Sequence, residues 1–264
     1  MSRRALFAAA LFAGLLATVA CGGDDTDPGD DPDFVQPSGD TTIPGTRATS
    51  VTSAQEGIVR GSDPSIFSIV EDDLGNGHTT DSDHTFSRGA GDYQAFGFFD
   101  TPDEAKEKLA EWGYQGGYIT GFNPTGLTAG VLRGEFYIDV ELHLFDTIDH
   151  ARTAFEHFVL TRAKADGAEY LDGLDANGNE WAALKLVSGK VTNSDIDAVY
   201  HTYIFRRGNM VAVVQTRGAA PYMKDEYVEQ LASIIDEKVL GTRGAVQPTP
   251  PGGIIVPPTP TPAP

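Results

Sequence analysis

Cysteine is nearly absent. The 264 residues contain one, Cys21, so no intramolecular disulfide can form, and beyond position 21 thiol nucleophiles and cysteine metal sites are excluded. Basic residues are scarce as well, 19 Lys and Arg against 38 Asp and Glu, for a net charge of −19. A surface of that sign repels phosphate backbones, and no basic stripe interrupts it, so no nucleic acid is expected as a partner. Long apolar runs are missing apart from Ala5–Ala20, which is shorter than the roughly 20 residues a membrane-spanning helix needs. Catalytic signatures are missing too. There is no Walker loop, dinucleotide fingerprint, G-x-S-x-G elbow or H-E-x-x-H, so no cofactor, no metal and no catalytic residue is expected.

What is present begins with Arg3 and Arg4, followed by an uncharged stretch of Ala, Leu, Phe and Gly. That is the n-region and h-region of a secretory signal peptide, over residues 1–20. The segment Thr18-Val19-Ala20-Cys21 resembles the lipobox of bacterial lipoproteins. A small residue precedes the cysteine and Gly22-Gly23 follows it, although Thr18 stands where that family has Leu or another aliphatic residue. The resemblance implies that Cys21 becomes the mature N-terminus and carries acyl chains such as palmitate. Each buried methylene contributes about 0.8 kcal/mol, and two or more chains hold stably. The lipid bilayer is then a partner, and the protein sits at the outer face of the cytoplasmic membrane or cell envelope.

Residues 21–60 read as the lipidated cysteine and an acidic tether. Asp24, Asp25, Asp27, Asp30, Asp31, Asp33 and Asp40 are interleaved with Pro28, Pro32, Pro37 and Pro44, a composition that cannot bury a core. As a random coil it spans on the order of 35 Å. Residues 242–264 form a second low-complexity stretch, which holds half of the 16 prolines. Between them, residues 61–241 are long enough for one domain with a sizeable core.

Within the domain, Asp63-Pro64 predicts a short helix over 65–71, and residues 78–92 read as a polar loop. His78, Asp81, Asp83 and His84 in that loop match no metal-ligand spacing. A strand over 93–98 leads to Thr101-Pro102-Asp103-Glu104, a helix start with its capping box. Strands follow at 114–122 and 136–145. The second is the clearest in the chain, with Phe136, Ile138, Val140, Leu142 and Leu144 alternating with Tyr137, Asp139, Glu141 and His143. Phe145-Asp146-Thr147 then repeats the Phe99-Asp100-Thr101 corner and opens a helix to about Lys164. Asp175, Asn177 and Asn179 resemble the start of an EF-hand loop, but Glu180 stands where glycine is required. Strands at 181–187, 198–205 and 210–216 follow, the last two joined across Gly208-Asn209 as a tight hairpin. A final helix from Pro221 ends at Gly241. The expected fold is α+β, an antiparallel sheet of about five or six strands with about three helices packed mainly on one face.

The best constellation is a polar sheet face. With strands 136–145 and 198–205 as neighbours, Tyr137, Asp139, Glu141, His143, His201, Tyr203 and Arg217 share one surface. Its acids, imidazoles and rings suit a small polar ligand, a peptide or an envelope protein. The closing hairpin, Phe205-Arg206-Arg207-Gly208-Asn209 running to Val211, Val213 and Val214, is similar to the ending of many bacterial lipoproteins. It is also loosely similar to the PsbP/Mog1-like α/β group, a resemblance that implies a non-enzymatic accessory or binding role. The expected function is an envelope-anchored binding or accessory domain. The rivals are an enzyme of unrecognised type that uses the histidine- and carboxylate-bearing face, and a structural envelope protein.

Overall fold

A computed structural model of the chain describes residues 47–48, 63–92, 97–125, 135–191, 194–220 and 222–243. The expected signal segment, Cys21, most of the expected tether and the proline-rich stretch lie outside the described residues. The strands are β1 (Arg47–Ala48), β2 (His78–Gly89), β3 (Tyr114–Pro124), β4 (Glu135–Phe145), β5 (Ala168–Tyr170), β6 (Glu180–Lys190), β7 (Asp197–Arg207) and β8 (Met210–Ala219). The helices are α1 (Glu71–Leu74), α2 (Pro102–Glu111), α3 (Ile148–Ala163) and α4 (Asp225–Leu240). All strand pairs are antiparallel. The order is β1-β6-β7-β8-β4-β3-β2, and β5 also pairs with β6. No described helix is long and apolar enough to cross a membrane.

The α+β class and the antiparallel sheet agree with the sequence, but three details are corrected. Among the described residues the sheet has eight strands rather than five or six and there are four α-helices rather than three, because the short β1 and β5 and the four-residue α1 are added and residues 78–89 form an edge strand rather than a loop. Only His78 and Arg88 of β2 are buried, so it has no apolar stripe for periodicity to detect. Second, the strand expected over 93–98 is a turn at Gly97 and Phe98, and 93–96 lie outside the described residues. Third, the helices occupy both faces of the sheet. One core joins α4, through Val228, Leu231 and Ile235, to Val140, Leu142, Phe205, Ala212 and Val214. The other joins α2 and α3, through Leu109, Phe155, Phe158 and Val159, to Ala182, Ile204, Val211 and Val213. Odd-numbered β7 residues therefore face α4 and even-numbered ones face α2 and α3. β8 has the opposite parity. This double covering explains why Val211, Val213 and Val214 are all apolar, since a central strand buried on both sides has no solvent face to mark with polar residues.

Threonine caps place the two helices of the second core. Thr101 Oγ1 accepts from the Glu104 N–H and Thr147 Oγ1 from the His150 N–H, each at 3.1 Å. The repeated corner is thus a shared helix start. Glu104 reaches back to the Asp100 N–H at 3.0 Å, one residue earlier than a capping box requires. The Asp63 cap is also present, accepting from the Ser65 N–H at 2.9 Å. The helix that follows it is a 3-10 turn over Pro64–Phe67, separated from α1.

The Gly208-Asn209 hairpin turn forms as expected, but it is buried. The segment before β6 folds over it. Asn179 Oδ1 accepts from the Gly208 N–H at 2.8 Å, and Asn209 Nδ2 donates to the Phe145 carbonyl at 2.6 Å. Gly178 has φ 76°, and any Cβ there would collide with the Arg206 carbonyl, so only glycine lets the two segments approach. The adjacent Arg206 and Arg207 point to opposite faces. Arg206 Nε lies 2.6 Å from Glu180, which also receives Arg152 of α3 at 3.0 Å. Arg207 grips Asp236 of α4 with two bonds of 2.7 and 2.6 Å.

Candidate functional site

β8 lies between β4 and β7, so the two strands expected to be neighbours are not adjacent, and the seven expected residues divide. Tyr137, Asp139, Glu141, His143 and Arg217 share the face of α2 and α3. His201 and Tyr203, at odd positions of β7, project from the opposite face and are fully buried there. Tyr203 stacks on Trp181 with ring centroids 5.3 Å apart, and its hydroxyl donates to the Asp175 carbonyl at 2.7 Å. His201 Nε2 lies 3.1 Å from Asp225 Oδ1, beside Lys185. Both are parts of the α4 core. Burial pulls the His201 imidazole down to about 4, and the Asp225 charge only partly offsets this.

The face of α2 and α3 carries the remaining site in successive cross-strand rows. Arg217 is opposite both Tyr137 and Tyr200. Its guanidinium carbon is 5.8 Å from the Tyr137 ring centroid and 5.3 Å from that of Tyr200, forming an aromatic–cation–aromatic ladder. In the next row Asp139 is opposite Gln215, which is opposite Thr202. The third row pairs Glu141 with Val213 and the fourth His143 with Val211, where α3 closes over the sheet. The sector is consequently open at the Tyr137 end, where that ring is 42% exposed, and sealed at His143.

Two side chains from other elements enter this sector. His84 Nε2 of β2 lies 3.5 Å from Asp139 Oδ1. Gly121, opposite Asp139, makes room for it, since a Cβ there would be 2.9 Å from His84 Cδ2. Arg162, near the C-terminal end of α3, lies over the Phe98 ring at 4.5 Å. His143 Nε2 lies 3.4 Å from Glu141 Oε2.

The two carboxylates respond in opposite directions. Burial pushes Glu141 up, but the contact with His143 and the charges of Arg162 and Arg88 more than reverse this and hold it below its ordinary value. Burial also pushes Asp139 up. The charges of Glu141 and Asp81 add to the rise, which His84 and Arg162 do not cancel. Among the described residues no three His, Asp or Glu side chains come together as metal ligands. A separate cavity of about 690 Å³ lies at the ends of β2, β3 and β4, lined by residues that include Ser87, Arg88, Gly116, Gly117 and Asn209.

Arg162, Tyr200, Gln215 and the His84–Asp139 contact were not part of the expected face. Tyr200 and Gln215 were detectable in principle, as the same-parity neighbours of Arg217 in the hairpin. Arg162 and His84 come from a helix end and an edge strand whose approach no local pattern encodes.

No family model matches the chain, and no curated protein matches it. Among solved structures, the chain is similar to one described as the crystal structure of the extracellular domain of PknH from Mycobacterium tuberculosis. The identity is 14% and the TM-score 0.33, over 62% of this chain and 82% of that one. At that score the likeness carries no argument about fold or function.

Proposed function

We infer that the protein is an envelope-anchored lipoprotein whose domain binds a small polar ligand without chemically altering it. The observation that carries the binding reading is the open polar sector. On a sheet whose central strands are buried on both faces, Tyr137, Arg217, Asp139 and Gln215 line adjoining rows and remain partly accessible. The lipobox-like Thr18-Val19-Ala20-Cys21 supports the anchor, and the PsbP/Mog1-like closing hairpin supports an accessory role.

The test is amide chemical-shift mapping with a mixed set of sugars, nucleotides, amino acids and organic acids. Perturbations should cluster at 137–141 and 215–217 and vanish in the combined Tyr137→Ala, Glu141→Ala, His143→Ala variant. If no compound perturbs those positions, the binding reading falls and a structural envelope role takes its place. Anchoring is tested separately by Cys21→Ala, which should release the processed protein from membranes.

A second reading, an enzyme using the same face, rests on the opposite displacement of Asp139 and Glu141, the pattern of an acid–base pair. It requires turnover of a chromogenic ester or glycoside that Asp139→Asn and Glu141→Gln each abolish.

A further inference from the structure

Acids outnumber bases two to one in this chain, and most arginines among the described residues are paired with one. Arg152, Arg206, Arg207 and Arg243 each contact a carboxylate. Arg162 and Arg217 do not: neither makes an ion pair with a described residue, and both guanidinium groups lie instead against aromatic rings. Both belong to the open polar sector. Asp139, on the same face, has no arginine or lysine partner among the described residues. Its contact is the His84 ring at 3.5 Å, and its side chain is 36% exposed.

Asp139 and Arg217 occupy diagonal positions on adjacent strands, since Tyr137 pairs with Arg217 and Asp139 with Gln215. Diagonal neighbours stand about 7–8 Å apart, within reach of long side chains. These two opposite charges nevertheless do not join, because Arg217 is held between the Tyr137 and Tyr200 rings. The sector thus presents a planar cationic fork and an accessible carboxylate, side by side and separate.

We propose that this pair recognises a zwitterion of the amino-acid or dipeptide class, its carboxylate on Arg217 and its ammonium on Asp139. The proposal rests on the binding reading above and names its ligand. A stacked guanidinium keeps its N–H edges free for a carboxylate in the bidentate geometry that lysine cannot reproduce. A dipeptide extends to about 7 Å, matching the diagonal. The chain's overall charge argues for the same class. A net charge of −19 repels a simple anion from the site, whereas a zwitterion carries no net charge and pairs with both groups. An added cation offsets the burial that disfavours the charged form of Asp139.

The experiment is calorimetry and amide shift mapping on the full chain in detergent, with alanine, tyrosine, alanyl-alanine and glycyl-tyrosine as probes. Each is compared with its C-terminal amide and its N-acetyl form. The free zwitterions should bind, and blocking either end should weaken binding by about tenfold or more, the scale of one charged hydrogen bond. Arg217→Lys should cost a similar factor. Asp139→Asn should weaken the zwitterion while leaving the N-acetyl form unchanged. Blocked and free probes that bind equally, or an Arg217→Lys variant with unaltered affinity, would overturn the proposal. The blocked-probe series needs only the native chain, so it decides the matter even where a variant folds poorly. Shifts at Tyr137 and Asp139 caused by sugars or nucleotides but not by zwitterions would sink this inference and leave the binding reading standing. No shift with any compound would end both.

Discussion

The two faces of the sheet differ in how they treat polar groups. On the α4 face, the charged groups drawn inward lie beside groups of opposite charge, and the buried tyrosine hydroxyl finds a carbonyl. Arg207 has Asp236, Asp73 has Lys238 at 2.7 Å, His201 has Asp225, and the Tyr203 hydroxyl has the Asp175 carbonyl. On the α2 and α3 face the apolar core is also fully buried around Phe155 and Phe158, yet it stops short. Beyond Glu141 the sheet continues with Asp139, which meets only the half-exposed His84 ring, and Arg217, which lies against two tyrosine rings and makes no ion pair with a described residue. The first face is built for stability, and the second carries partly buried charge that folding alone does not require.

The comparison is broken most sharply at Arg207. Arg207→Met leaves Asp236 buried and uncompensated, and a loss of about 3–5 kcal/mol is expected in urea unfolding. Phe158→Ala probes the other face. Phe158 is fully buried and stacks on Phe98 with centroids 4.1 Å apart, so a similar loss of about 3–5 kcal/mol is expected from the cavity. If only one of the two variants is strongly destabilised, the faces do not contribute equally to the core.

His201 supplies the pH test. Its folded value of about 4 lies below its ordinary 6.5, so on acidification the unfolded chain takes up the proton first. Its contribution is intact above about pH 6.5 and is lost as pH falls towards 4, by at most about 3 kcal/mol. His201→Gln should flatten the stability–pH curve across that window. An unchanged slope would place the acid sensitivity elsewhere. Smaller again, Thr147→Ala removes the α3 cap and should cost about 1 kcal/mol. The smallest effect belongs to the open sector. Tyr137→Ala should shift stability by no more than about 0.5 kcal/mol while weakening ligand binding. A large stability loss there would make the sector part of the core after all.

Much of the fold was legible because local chemistry dictates it. The alternation of β4, the Thr101 and Thr147 caps, the Gly208-Asn209 turn and the Gly241 terminus, with φ 67°, each follow from short-range sterics and hydrogen bonding. β2 was illegible because an edge strand with mostly exposed side chains has no apolar period. The candidate site was half legible. On β4 the polar phase was read correctly, since one parity is apolar and the other is not. On β7 the inference failed because both parities are buried, and His201 and Tyr203 look polar while serving the α4 core.

By itself the sequence determined many of the elements: the threonine-capped starts of α2 and α3, where the hairpin turns, which side of β4 is polar, and that no disulfide holds the domain. It also carried the signal-like N-terminus and Cys21, which are readable because they are linear patterns. Only the tertiary structure decided that β8 separates β4 from β7, that helices cover both faces, that His84 reaches Asp139 and that Arg162 lies over Phe98. Those facts depend on contacts between residues far apart in the chain. Strand order and helix placement are chosen by the whole core at once, so no local window contains them.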